Sequence, residues 1–445
     1  MKVLTLIISG LFFLNLSANE ISFASRSFKA NDKKFVFIDI KKANYKIIYD
    51  SKSKTTRVYS ELYFRSFEDG YPLFDLVPKL ERATLDNNTI SVEEVSHPKN
   101  ITKSKFMNEL VKAGDHVLKT IHYIKTTSYK SNKIRSAFWF SDLNDRRFLE
   151  AYLPTNFDFD RVSMNFDIKV INTQREHEIK VNCPQRWLSK NHWQIKCPKH
   201  FNSASIFYHL FEKGRFKSYK KKFKSIDGRI VTANIYGPLS MMVHNKVKPI
   251  FDELEGDFGP MPHEHLIIYA AIRSGGMEYA GATITSPMAL GHEMHHFYFA
   301  RSMFPAGGNA GWIDEALASW RDKDYMQVQN LTEKDRTIMG AHSQYMRVTD
   351  RNAYSKGARF MAHLDYKFKS KGGMKSFAKD LHEKYMRNQM TTKILQSELE
   401  KYFNTSLDSL FDEFIYGKKG ISTKQSFSEN PIHRKLTKKQ MQEIL

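Results

Sequence analysis

The stretch "GHEMHHFYFA", residues 291–300, places three histidines and a glutamate in one short run. Read as a helix, it puts His292 and His296 one turn apart on one face, because side chains at i and i+4 are neighbours. Both imidazoles can then reach a single metal ion. Glu293 lies about 100° round from His292, near enough to touch a water on that ion without ligating it. His295 projects to the other side of His292 and reads as a packing or supporting residue. The apolar residues around the motif, Met288, Leu290, Met294, Phe297 and Phe299, imply that it is buried.

Two histidines do not complete a catalytic zinc site, which takes three protein ligands and keeps a position for water. "GWIDEALASW" (311–320) reads as a second helix and offers Glu315, with eighteen residues between it and His296. Asp314 has a shorter side chain and sits one position earlier, which makes it the weaker candidate. The expectation is therefore one Zn²⁺ per chain on His292, His296 and Glu315, with Glu293 as general base. "HEH" at 263–265 precedes an apolar strand-like run. Its alternating positions, with no third ligand, keep it out of the site.

Outward from this motif the chain has two characters. Residues before it alternate in the strand manner, as in "KFVFIDI", "NYKIIYD" and "RVYSELYFRS". After "DGRIVTANIYG" the periodicity becomes helical, with one apolar strand at "EHLIIYAAI". The expected class is α+β. A β-rich domain over 19–227, mainly antiparallel, precedes a mostly helical domain over 228–425 and a basic tail over 426–445. A chain of 445 residues with 41% hydrophobic content supports two such cores.

Lys2 followed by "VLTLIISGLFFLNL" and the small Ala18 has the form of an export signal over 1–18, too short for a comfortable membrane span. The expected location is periplasmic or secreted, and no later run reaches transmembrane length. The only cysteines, Cys183 and Cys197, flank a hairpin-like stretch, and an oxidising compartment would let them pair. The net charge of +21 concentrates in "KGRFKSYKKKFK" (213–224) and "RKLTKK" near the end. Export argues against nucleic acid. An anionic envelope surface is the partner such patches would suit, and a solvated lysine-rich face is the plainer account.

Further motifs resemble the gluzincin zinc aminopeptidases, of the membrane alanyl aminopeptidase and leukotriene hydrolase type. The eighteen-residue spacing is similar to theirs. "GGMEYAG" (275–281) resembles their Gly-x-Met-Glu-Asn motif, and "AYSKGARF" (353–360) resembles the segment carrying their catalytic tyrosine. "WIDEALASW" resembles their Trp-x-Asn-Glu-Gly-Phe-Ala-Ser, and "RRFLEAYLP" with "MNFDIKV" resembles the end of their N-terminal β domain. The resemblance runs over residues 35–420. It implies a thermolysin-like catalytic domain in a short form, without the large helical domain that caps longer members. It implies an aminopeptidase in which Tyr354 stabilises the oxyanion and Gly275, Gly276 and Met277 lie along the peptide. Glu278 would hold the free α-ammonium, so peptides with blocked amino ends would be poor substrates. Departures stand at Tyr279 and Asp314, each in place of Asn, and at Ala316 in place of Gly. A zinc endopeptidase and a non-catalytic peptide-binding envelope protein are the alternatives.

Overall fold

The computed structural model describes residues 27–96, 103–130, 133–140, 148–156, 161–307, 310–341, 349–420 and 444. The expected export signal over 1–18 and the basic tail over 426–445, Ile444 apart, lie outside these residues.

Alternation builds the first half. In the strand Thr55–Ser66, Val58, Ser60, Leu62 and Phe64 are buried while their neighbours are partly exposed. That period of two presents one face to a core and the other to water. The strand lies in a twelve-stranded sheet whose main path runs from Gln185–Ser189 through His192–Lys196, Ser163–Ile171, Lys33–Asp50, Thr55–Ser66 and Gly114–Tyr123 to Leu80–Leu85 and Asn88–Thr89. Most pairs are antiparallel, but Ser163–Ile171 runs parallel to Lys33–Asp50. The hairpin between the cysteines forms as expected, and a Cys183–Cys197 disulfide closes it.

The second half carries a mixed five-stranded sheet, in the order Ser218–Lys224, Ile230–Tyr236, His265–Ala270, Ala282–Thr285, Gly276–Tyr279. Alternation here serves two cores. Tyr236 and Tyr269 enter the core shared with the first half, while Ile235 and Ile268 enter the core built with the helices. Burial on both faces is what parallel strands require.

The lysine-rich stretch differs from its expected place at the end of the β-rich half. Ser218–Lys224 pairs antiparallel with Ile230–Tyr236, so this hairpin straddles position 227/228 and belongs to the second sheet. It is that sheet's outer strand, with Lys220, Lys222 and Lys224 exposed. Charge on an edge strand opposes pairing with another chain's edge, which gives these lysines a structural use.

The helices around the second core include Val247–Phe258, Leu290–Phe299, Trp312–Arg321, Lys356–Lys367, Gly373–Tyr385 and Thr392–Phe403. No helix among the described residues is long and apolar enough to cross a membrane.

Candidate metal centre

Residues 291–299 lie in the helix Leu290–Phe299, which is buried along its whole length. Ser286 Oγ accepts the Ala289 amide just ahead of it. Leu290, Met294, Phe297 and Tyr298 fall at helical spacing and pack into the second core. This stripe turns the adjoining His292–His296 face toward the helix Trp312–Arg321. Met288 departs from expectation: it precedes the helix and is 60% exposed.

On the second helix, Glu315 is fully buried and meets both imidazoles. Its Oε2 lies 3.1 Å from His292 Nε2 and 3.4 Å from His296 Nε2. One donor atom from each of the three residues falls within 4.8 Å of the others. These nitrogen and carboxylate donors suit a four-coordinate zinc ion with one position left for water. The surrounding charge agrees. Glu278, Glu293, Asp314, Glu315 and Asp322 gather here, while Arg301 pairs with Glu278 and Arg321 with Asp322. Asp314 and Glu315 stand against the two imidazoles, an acidic setting that suits a divalent cation. Asp314, the weaker sequence candidate, lies 3.8 Å from the other nitrogen of His296, Nδ1.

His292 and Glu315 are each oriented by a neighbour. His292 Nδ1 lies 2.6 Å from Asp322 Oδ2, which fixes the ring with Nε2 toward Glu315. Burial alone would lower the His292 pKa, but the Asp322 and Glu315 carboxylates outweigh it and hold it well above the usual range. Asp322 is held in turn by Arg321 at 3.2 Å, and Arg321 makes two bonds to Glu253. Gly291 makes room for that guanidinium, since a Cβ there would lie 2.3 Å from Arg321 Nη1. His295 packs against Phe258 and Phe299 on the far side, as the helix geometry required. Burial drives its pKa well down, so it stays neutral. His263 of the excluded "HEH" is buried with its Nε2 3.2 Å from the Phe297 carbonyl and takes no part.

The strand Gly276–Tyr279 forms the edge of the five-stranded sheet opposite Ser218–Lys224. Gly276 gives the Glu293 side chain its space: a Cβ there would come within 2.3 Å of Glu293 Oε1. We expect Gly276→Ala to lower turnover roughly tenfold to a hundredfold by displacing Glu293, with metal content unchanged. Steady-state kinetics beside metal analysis checks this. Normal turnover would show that Glu293 finds its position without the glycine.

Tyr354 ends the short 3₁₀ turn Arg351–Tyr354, which Asp350 caps through the Asn352 amide. Its hydroxyl donates to Glu315 Oε1 at 2.6 Å, and its ring stacks with His292 at 6.3 Å. The sequence-predicted tyrosine therefore stands at the cluster. Tyr279, which departs from the resembled motif, packs on Phe140 and Phe207 of the first half and donates to the Phe138 carbonyl. It joins the two halves.

Glu278 is where the structure adds most. Its side chain, 1% exposed, accepts a 2.6 Å bond from Arg301 Nη2. Arg301 Nε also donates to the Glu278 backbone carbonyl at 3.3 Å. Sequence reasoning missed Arg301, Arg321 and Asp322. Asp322 had a signal, seven residues beyond Glu315 and so near the same helix face. Arg301 had none, because it follows the helix end and folds back.

No protein-family model matches the chain, and no curated protein matches it in sequence. Its structure is similar to solved ones. LTA4 hydrolase from yeast, in complex with bestatin, superposes with a TM-score of 0.60 at 11% identity, over 88% of this chain and 69% of that one. An M1 zinc metallopeptidase from Deinococcus radiodurans gives 0.58 at 13% identity, over 82% and 91%. Aminopeptidase A from Legionella pneumophila, in complex with aspartic acid, gives 0.64 at 11% identity, over 88% and 51%. At such identities the likeness speaks for architecture: this chain has the two-part fold of the M1 zinc metallopeptidases, an N-terminal β-sheet region followed by a helical part.

Proposed function

We propose that this protein is a zinc-dependent peptidase of the aminopeptidase type, binding one zinc ion per chain on His292, His296 and Glu315. The observation that carries the reading is the meeting of His292 Nε2, His296 Nε2 and Glu315 Oε2 in one buried cluster. The solved structures of similar fold support it. They include a metallopeptidase bound to a Tyr-Ser-Ala substrate and an aminopeptidase bound to aspartic acid.

Zinc, when bound, supplies a Lewis acid that polarises the scissile carbonyl and lowers the pKa of a water. The chain does the rest. Glu293 takes the attacking water's proton on its carboxylate and passes it to the leaving amine. Tyr354 turns its hydroxyl from Glu315 to the developing oxyanion. The outer strand at Gly276 and Met277, with Gly275 before it, lies along the peptide as a further strand would. Asp322 keeps the His292 ring aligned.

We infer export as well. The Cys183–Cys197 bond supports it, since such bonds persist in oxidising compartments. The exposed lysines would tolerate an anionic envelope surface.

Aminoacyl fluorogenic reporters, assayed with and without a chelator, test the function. Chelator-sensitive, zinc-restored hydrolysis is expected. Peptide binding without any turnover by zinc-loaded protein would favour the non-catalytic reading. Cleavage confined to internal bonds would favour the endopeptidase.

A further inference from the structure

We propose that Arg301 is a specificity-determining residue of the peptidase site, one that relaxes its demand for a free amino terminus. This rests on the zinc-peptidase reading above and concerns which substrates that site prefers.

A carboxylate captures an ammonium when its charge is available to the ligand. Glu278 lies in an ion pair in which both side chains are 1% exposed. Arg301 holds this residue twice, at the carboxylate and at the backbone carbonyl. Its guanidinium is also walled in by the Phe148 ring, 5.3 Å from the centroid, contributed by the first half. Both contacts and the wall fix the cation in place. An arriving ammonium therefore meets a carboxylate that already shares Oε1 with a like charge.

The pair adjoins the metal cluster. One atom each from Glu278, His296 and Asp314 falls within 4.8 Å of the others. Arg301 thus lies close enough to the reacting centre to govern which substrates bind, without touching the reacting atoms. The substrate class that follows is peptides whose residue before the scissile bond bears either a free or an acylated nitrogen. This differs from what the resemblance implies, that blocked peptides are poor substrates.

The test compares alanyl and N-acetylalanyl reporters on the full zinc-loaded chain, as the ratio of their kcat/KM values. Wild type should discriminate less than about tenfold, below what one charge-assisted bond provides. Arg301→Met should raise the preference for the free amine by about tenfold to a hundredfold, through KM rather than kcat. Because Arg301→Met leaves a buried carboxylate without its cation and can fail to fold, Arg301→Met/Glu278→Gln is measured as well. This neutral pair should keep the wild-type ratio. A strong wild-type preference for the free amine that the double variant abolishes would overturn the proposal, since Glu278 would then bind ammonium despite Arg301. An unchanged ratio in folded, zinc-loaded Arg301→Met would also overturn it. No hydrolysis of either reporter by zinc-loaded wild type would instead bring down the peptidase reading itself.

Discussion

Glu293→Gln should lower turnover by about a thousandfold or more, at the upper end of what general acid–base catalysis contributes, while leaving the metal in place. The amide has nearly the volume of the carboxylate, so it fits the space above Gly276 where a Cβ would collide with the side chain. It cannot accept the water's proton and cannot deliver one to the leaving amine. Glu293 is not among the three residues whose donor atoms meet at the metal cluster, so zinc content should stay as in wild type. Kinetics and metal analysis on the same preparation check both halves. Loss of metal together with activity would mean that Glu293 serves as a ligand. Retained activity would mean that another group carries the proton.

Tyr354→Phe should cost roughly a hundredfold to a thousandfold in kcat if the hydroxyl stabilises the oxyanion, the range for removing one such donor. The tyrosine is buried with its hydroxyl 2.6 Å from Glu315 Oε1. Its place by a metal-ligand candidate admits two roles, and the variant separates them. A donor to the transition state affects kcat and spares zinc affinity. A group that merely orients Glu315 affects zinc affinity by about tenfold to a hundredfold and spares kcat at saturating zinc. The first pattern is expected. Near-normal kcat with weakened zinc binding would assign Tyr354 to the second role.

The meeting of His292, His296 and Glu315 was legible in the sequence because a helix converts spacing into geometry. His292 and His296 had to share a face, and His295 had to point away. Glu315 was legible because it sat on a second amphipathic helix at a recurring distance. The strands were legible from alternation. Less could be seen where the fold brings distant segments together. Arg301 reaches Glu278 from beyond a helix end, across a sequence separation of 23. Nothing in "GGMEYAG" announces that its carboxylate is already paired. The lysines of Ser218–Lys224 looked like the end of the first domain, because pairing partners cannot be read from one strand. Tyr279 looked like a departure in a substrate motif, whereas its ring packs between the halves against Phe140 and Phe207.

We propose above that His292, His296 and Glu315 hold one catalytic zinc ion. The most direct test is a zinc titration of chelator-stripped protein, with metal content and aminoacyl reporter hydrolysis read on the same samples. Activity should rise in proportion to zinc and level off at about one equivalent per chain, and His296→Ala should neither retain zinc nor gain activity. Full hydrolysis in metal-free protein, or unaltered zinc content in His296→Ala, would contradict it.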